Sequence, residues 1–432
     1  MSTLAIRGAT VIDEAGSRRA DVVVGADATI LAVEPNITAD RTLDASGCVI
    51  CPGFVDLHVH LRQPGYETAE TIASGARAAA LGGYTAIVAM PNTTPDADNV
   101  SVIAEVRACA QEGICDVLPS AAISVGRRGE KLAPFAELVR AGVRIFTDDG
   151  RGVQDDQLMR SALEYAGSLG HLCPQDSIVL AQHCEVETLS EAGHMHEGEW
   201  SSWLGIGGQP GEAEELMVMR DIALCRLTGT RVHFQHVSTA GSVSMIRAAK
   251  EAGLPVTAEA TTHHFSLTDA CCASFDPLFK VHPPLRTQTD VGAVKAGLKD
   301  GTIDAIATDH APHTTESKQQ TFVAAPPGML GLETAFAVAN THLDMRLEAI
   351  LAAMSWQPAA IASLRSQHGG PVAVGRAANL TVIDPQLVWE VKGAQLASLS
   401  SNTPYENMAL KGKVRHTIYQ GEAVVVDGIA QR

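Results

Sequence analysis

Between residues 51 and 370 the chain alternates eight short apolar runs with longer segments that have helical spacing. The runs span 52–60, 84–91, 116–125, 142–148, 177–183, 231–237, 255–262 and 302–309. The helical segments span 67–81, 98–112, 131–141, 156–169, 212–227, 241–252 and 290–299. Runs such as 303–307 are mostly apolar on both faces, which is typical of parallel strands covered by helices. Eight such units predict an α/β protein built on a (β/α)8 barrel.

An open, doubly wound sheet is the alternative arrangement for alternating strands and helices. Sheets of that kind often bind nucleotides through a glycine-rich turn that follows a strand. Neither G-x-G-x-x-G nor G-x-x-x-x-G-K-[ST] follows any of the eight runs. The sequence therefore favours the closed barrel.

The two ends of the chain contain short strand-like runs instead. Gly and Asp interrupt these runs at intervals of about ten residues, which is typical of a β-sandwich. We expect the two ends to pair into one small domain. The predicted division is therefore 1–50 (first part of the sandwich), 51–370 (barrel) and 371–432 (second part of the sandwich).

Composition limits the partners and the compartment. The formal charge of −17 argues against binding to nucleic acid or to anionic membranes. We find neither a signal peptide nor a stretch apolar enough to span a bilayer. The nine cysteines are scattered, and Cys48 and Cys51 lie in an apolar run, so we expect buried, reduced thiols rather than a zinc knuckle. These features predict a cytoplasmic protein.

A barrel enzyme builds its site from residues at the C-terminal ends of its strands. Polar residues follow seven of the eight runs here. They are His58, His60 and Arg62 after the first run, Asn92 after the second, Asp148 and Asp149 after the fourth, His183 after the fifth, His236 after the sixth, His263 and His264 after the seventh, and Asp309, His310 and His313 after the eighth. So many polar groups at one end of a barrel need partners, and metal ions satisfy them together.

The ligand types suit two divalent ions, and zinc is the most plausible metal. His58 and His60, two residues apart on a strand, point to one face and would hold one ion. His183 and His236 would hold the second. Either Asp148 or Asp149 could bridge the ions; we prefer Asp149, which is nearer the loop. Asp309 would complete the set.

Two metal ions can activate a water and polarise a carbonyl, which predicts hydrolysis, or its reverse, at an amide-like carbon. Asp309 is placed to move the proton between the water and a leaving nitrogen. Arg62 shares a strand face with His60, and its planar guanidinium suits a carboxylate. With Asn92, His282 and His313 it predicts a pocket for a small anionic substrate.

Four motifs at these positions closely resemble those of type I dihydroorotases in the amidohydrolase superfamily. They are FVDLHVHLR at 54–62, AMPNT at 89–93, FTDDG at 146–150 and ATDHAPH at 307–313. The resemblance extends over essentially the whole chain. It implies the reversible ring closure of N-carbamoyl-L-aspartate to L-dihydroorotate in pyrimidine (UMP) biosynthesis. It also implies zinc at the six positions above, with Asp309 as catalytic acid and base.

The resemblance further implies a set of substrate contacts. The residues concerned are His60, Arg62, Asn92, His282, His313 and the backbone of Pro327 and Gly328. Many relatives bridge their metals with a carboxylated lysine, but residues 143–150 contain no lysine, in agreement with an aspartate bridge. His282 stands where the family often has Asn, and its protonation could make binding sensitive to pH. Segment 313–328 is either a lid over the substrate or a surface insertion.

Other functions stay open at this point. A hydantoinase, dihydropyrimidinase or allantoinase would use similar metals without needing Arg62. An inactive scaffold for aspartate transcarbamoylase is expected to have lost metal ligands, whereas all six positions are filled here. As an enzyme of the resembled family, the protein is expected to form a homodimer, and an association with aspartate transcarbamoylase is a further expectation.

Overall fold

The computed structural model describes residues 3–173 and 178–432. Eight parallel strands form the centre of the described molecule, and we label them β1 to β8. Their bounds are Phe54–Val59, Tyr84–Ala89, Asp116–Pro119, Ile145–Phe146, Val179–Gln182, Val232–Phe234, Val256–Thr261 and Ala305–Ala307. Each lies inside one of the eight predicted runs, although residue 177, the first of the fifth run, lies outside the described residues.

These strands close into a barrel. β1, β2 and β3 pair in parallel, as do β4 to β8 in chain order. Short bridges join the two groups, Ala121 to Phe146 on one side and Val59 to His310 on the other. The backbone N–H of His60 donates to the carbonyl of His310 at 2.9 Å, which completes the ring of strands. The barrel prediction is confirmed, and the doubly wound alternative is wrong.

Helices cover the outside of the barrel. Those that follow the strands span Ile72–Leu81, Val100–Ala110, Phe135–Arg140, Asp156–Ser168, Glu212–Thr228, Ala240–Glu251, Gln288–Asp300 and Leu347–Met354. Shorter or additional helices span Glu187–Ser190, Glu199–Leu204, Thr262–Ser266, Thr315–Lys318, Ala335–His342 and Trp356–Ile361. The first helix begins five residues later than predicted, because Thr71 caps it by accepting from the N–H of Ser74. Among the described residues, no helix is long and apolar enough to cross a bilayer.

Two further sheets form the sandwich. The first contains Ile30–Glu34, Asp21–Val24, Leu4–Arg7 and Arg41–Asp44. The second contains Ile429–Ala430, Glu422–Val426, Ala409–Tyr419, Leu380–Glu390, Val49–Pro52, Thr10–Asp13 and Gly16–Arg19. One face of each sheet packs against the other sheet, in an apolar cluster that includes Ile6, Val22, Ile50 and Val382.

The second sheet joins the two ends of the chain, since Val49–Pro52 pairs with Leu380–Glu390. Cys48 and Cys51 are buried there as free thiols, and burial raises the pKa of Cys51 far above its usual value. The short strands Met195–His196 and Gly208–Gln209 pair separately. The domain boundaries near residues 50 and 370 stay predictions.

Candidate active site

The structure brings the predicted polar residues together at the C-terminal ends of the barrel strands. His58 and His60 lie at the end of β1, and Asp309 lies just after β8. Nε2 of His60 lies 3.0 Å from Oδ1 of Asp309, and Nε2 of His58 lies 3.6 Å from the same oxygen. Asp149 contacts both histidines, with its carboxylate oxygens 3.2 Å from Nε2 of His58 and 3.5 Å from Nε2 of His60.

His183 and His236 contact the same carboxylate. Nε2 of His236 lies 3.6 Å from Oδ1 of Asp149, and Nδ1 of His183 lies 3.5 Å from it. The two imidazole nitrogens are 2.8 Å apart. All six predicted ligand residues are buried and share one site, with Asp149 between the two histidine pairs.

The site fits a metal centre. Two sets of three ligand atoms each lie within 4.8 Å of one another: His58, His60 and Asp309, and His58, Asp149 and His236. Nε2 of His58 is fully buried and has no hydrogen-bond partner in the described part of the chain. An unpaired buried nitrogen is costly unless something binds it. Imidazole nitrogens together with carboxylates are ligands that zinc prefers.

The two neighbouring aspartates have different roles. Asp148 turns away from the metal cluster and accepts from the backbone N–H groups of Ile123 and Ser124, at 2.8 and 3.0 Å. Its second oxygen accepts from the hydroxyl of Ser124. These bonds join the segment that follows β4 to the segment that follows β3. The geometry therefore brings Asp149, and not Asp148, into contact with the four histidines, and its bridging role stays a prediction.

Three residues of the site have strained backbones. The φ angles of Arg62, His236 and Asp309 are 61°, 35° and 46°. These values are positive, and residues other than glycine rarely adopt positive φ angles. Such strain costs about 1–3 kcal/mol per residue and is concentrated at functional sites. Here it turns side chains at the ends of β1, β6 and β8 into the same space.

Charges within the cluster compensate for its burial. Burial opposes the charge on His58, but the carboxylate of Asp149 raises the pKa of His58 well above its usual value. Burial likewise opposes the charge on His183, and contacts with Asp149 and Glu185 raise its pKa to about 10. Despite burial, His58 holds the pKa of Asp149 well below its usual range, and His60 does the same for Asp309. Both carboxylates are therefore anionic and can face a cation.

A cavity of about 250 Å³ opens above this cluster. The predicted substrate-binding residues that line it are His60, Arg62, Asn92, His282, His313, Pro327 and Gly328. Nε of Arg62 donates to the carbonyl of Pro312 at 3.1 Å, which holds its guanidinium at the rim. Nδ1 of His60 lies 2.9 Å from the amide oxygen of Asn92, so Asn92 also orients the imidazole of His60, a predicted metal ligand.

The far wall of the cavity differs from the simplest expectation. Burial lowers the pKa of His282 to about 4, so this imidazole is neutral near pH 7 rather than close to titration. Gly328 donates its N–H to the carbonyl of Lys280 at 2.9 Å, and Pro327 has no N–H. The carbonyl of Pro327 lies 2.7 Å from Nε2 of His313. These backbone groups shape the pocket without offering a free donor to a substrate.

Comparison with known proteins gives relatives over nearly the whole chain. A family model described as Dihydro-orotase-like matches residues 47–242. A protein named dihydroorotase from Pelotomaculum thermopropionicum is 45% identical over 99% of this chain and 99% of its own length. Another of that name, from Streptomyces coelicolor, is 46% identical with the same coverage. The chain belongs to the dihydroorotase family.

Solved structures of related fold support the architecture. The L-hydantoinase (dihydropyrimidinase) from Arthrobacter aurescens superposes with a TM-score of 0.88 at 24% identity, covering 100% of this chain and 98% of that one. The dihydropyrimidinase from Brevibacillus agri gives 0.85 at 22% identity, covering 99% and 96%. The predictions of family, fold and a hydrolase are confirmed. Amidohydrolases depend on metal ions, in agreement with the histidine and aspartate cluster.

Several residues of this dihydroorotase-family site were not predicted. Glu259 in β7 accepts from His58. Glu70 lies 3.3 Å from Nε2 of His310 and accepts from the backbone N–H of Leu399. The amide of Asn402 donates to the carbonyls of Ala311 and Gly328, at 3.0 and 3.1 Å. Segment 398–402 thus holds the loop after β8. The two lie so far apart in sequence that no local pattern indicated this contact. Glu259 had one, because polar residues alternate in Thr257-Ala258-Glu259-Ala260-Thr261.

Two buried lysines fix segment 313–328 over the cavity wall. Nζ of Lys318 donates to the carbonyls of Pro277 and Pro326, at 2.7 and 3.0 Å. Nζ of Lys280 donates to the carbonyls of Val323 and Ala325, at 2.7 and 2.8 Å. The two lysines therefore join segment 313–328 to residues 277–280, and their hydrogen bonds go to backbone carbonyls. The lid function stays a prediction.

The lowered pKa of Lys318 predicts that the stability of the fold depends on pH. Burial, together with the charge of Lys280, lowers the pKa of Lys318 to about 7. The unfolded chain then binds more protons than the folded one between about pH 7 and about pH 10, so stability rises with pH across that window. We expect the melting temperature of the wild type to rise relative to that of Lys318→Met when the pH is raised from about 7 to about 9. Parallel melting curves would contradict the assignment.

Proposed function

We propose that this protein catalyses the reversible ring closure of N-carbamoyl-L-aspartate to L-dihydroorotate in the synthesis of pyrimidine nucleotides. The observation that carries this proposal is that Arg62, a reader of carboxylates, lines the same cavity as the metal-ligand cluster. A cyclic amide that bears a carboxylate fits both features. Burial lowers the pKa of Arg62, but nearby Asp309 opposes this, and a guanidinium stays protonated near neutral pH.

The proposed cofactor is zinc, with two ions per subunit. The six residues that would hold them are His58, His60, Asp149, His183, His236 and Asp309. When bound, such ions supply an acidic water and polarise the ring carbonyl. Asp149 lies between the two histidine pairs and is the proposed bridge.

The chain's own residues position the substrate and move one proton. Arg62 binds the carboxylate, and Asn92 and His313 line the cavity beside it. In hydrolysis the carboxylate of Asp309 accepts a proton from the attacking water. It returns that proton to the ring nitrogen as the carbon–nitrogen bond breaks. Ring closure follows the same steps in reverse, with Asp309 as the acid and base in both directions.

The alternatives make different demands on these residues. The cyclic substrates of hydantoinases and allantoinases carry no carboxylate that Arg62 could bind. A scaffold without activity has no use for six buried ligand residues. We also propose that the enzyme is a cytoplasmic homodimer that can associate with aspartate transcarbamoylase. Its acidic composition and buried free thiols support the cytoplasmic location.

Removing the metal tests the proposal directly. Dialysis against a chelator is expected to abolish dihydroorotate turnover, because the site then lacks the water activation described above. Zinc is expected to restore turnover, with elemental analysis giving two ions per subunit. Full activity of the metal-free protein would contradict the proposed mechanism, and one ion at full activity would contradict the binuclear centre.

A further inference from the structure

Glu259 lies in the interior of the barrel, below the metal-ligand cluster. It is fully buried, and each of its oxygens faces a different histidine. Nδ1 of His58 lies 2.7 Å from Oε1, and Nε2 of His233 lies 3.0 Å from Oε2. Nδ1 of His233 in turn lies 2.9 Å from the hydroxyl of Thr257. A chain of hydrogen bonds therefore runs through the barrel interior to a proposed metal ligand.

Such a chain is not required by the fold. Barrel interiors are usually filled by layers of branched apolar side chains. A buried carboxylate is costly unless hydrogen bonds or opposite charges compensate for its lost hydration. Glu259 also stands outside the cavity lining, so a substrate does not reach it. Its two histidine partners are the contacts that need an explanation.

We propose that Glu259 is a positioning residue of the metal centre, an inference that rests on the metal site proposed above. Its carboxylate accepts the Nδ1 proton of His58, so Nε2 is the nitrogen that would give up its proton and bind an ion. That Nε2 is the buried nitrogen without a partner, and it faces Asp149 and Asp309. Nε2 of Gln235 also lies 3.2 Å from Nδ1, but an amide nitrogen is a donor and cannot take the proton.

His233 completes the arrangement from the opposite side. By donating to the second oxygen, it holds the carboxylate in the plane that His58 needs. Residues of this kind typically change metal affinity or activity by about 10- to 100-fold when they are replaced. The effect on this protein is expected to appear in metal affinity, because Glu259 contacts a ligand and not the substrate cavity.

Two substitutions separate the charge of Glu259 from its hydrogen bonds. Glu259→Gln keeps an oxygen that can accept from His58 but removes the charge, so we expect about 10-fold weaker zinc binding. Glu259→Ala removes the acceptor, and about 100-fold weaker binding is expected. Zinc affinity is measured by competition with a chromogenic chelator. The absorption spectrum of the cobalt-loaded protein reports ligand geometry and is expected to change in Glu259→Ala more than in Glu259→Gln.

Asp116→Asn is the matched control. Asp116 lies 2.7 Å from Nε2 of the buried His368, so it forms a carboxylate–histidine pair with no proposed metal ligand. Its zinc affinity should equal that of the wild type. Wild-type affinity in a folded Glu259→Gln or Glu259→Ala protein would overturn the inference. If both variants fail to fold, His233→Gln serves instead, and unchanged affinity there would likewise overturn it.

The same titration distinguishes this inference from the function on which it rests. A wild type that binds no zinc contradicts the proposed metal centre itself. A wild type that binds zinc as tightly as its Glu259 variants contradicts only the role of Glu259.

Discussion

Asp309→Asn is expected to lower dihydroorotate turnover by about 10²- to 10⁴-fold, the usual contribution of a general acid or base. The carboxylate lies 3.0 Å from Nε2 of His60 and lines the cavity, so it reaches both the metal-ligand cluster and the substrate. An amide keeps the shape of the side chain but cannot accept and return the proton. The measurement is kcat in both directions, with bound zinc determined on the same samples.

Asp304→Asn provides the control for this change. Asp304 lies just before β8, where it binds Lys250 at 2.6 Å, at the end of the strand away from the cluster. It should retain wild-type kcat. An Asp309→Asn protein with two bound zinc ions and more than a tenth of wild-type kcat would contradict the proton-transfer role.

Arg62→Met is expected to lower kcat/KM for L-dihydroorotate by about 10- to 100-fold. A hydrogen bond to a charged group contributes roughly 1.5–3 kcal/mol, which corresponds to that range. Dihydrouracil is the same ring without the carboxylate, so its slow turnover should not fall in the variant. The ratio of the two kcat/KM values is therefore the measurement, since loss of stability would lower both.

Arg128→Met tests whether the effect is local. Arg128 is exposed and does not line the cavity, so its removal changes charge without changing the pocket. It is expected to leave the ratio of the two substrates unchanged. Equal losses on both substrates in Arg62→Met would show that Arg62 does not read the carboxylate.

Much of this site could be predicted because a barrel imposes its geometry. The eight runs identified the strands, and parallel closure brings their C-terminal ends to one rim. His58, His183, His236 and Asp309 therefore had to meet, although up to 251 positions separate the first from the last. Their residue types then indicated metal binding.

Other parts depend on contacts that no local pattern specifies. Segment 398–400 binds Glu70 and the neighbouring Ala69 across more than 300 positions, through loops with no periodicity. The low pKa of His282 follows from burial, which the sequence around it does not report. The first helix begins at Ile72 rather than at 67, because a capping residue and not the apolar pattern decides where it starts.

The central claim is that this site acts on a cyclic amide that bears a carboxylate. The most direct test is the absorbance change of L-dihydroorotate with the zinc-loaded wild type, compared with hydantoin, dihydrouracil and allantoin under the same conditions. We predict that kcat/KM for L-dihydroorotate exceeds that for each of the others by about 10-fold or more, as expected for one charged contact. Turnover of hydantoin or allantoin without turnover of L-dihydroorotate would contradict the proposed function.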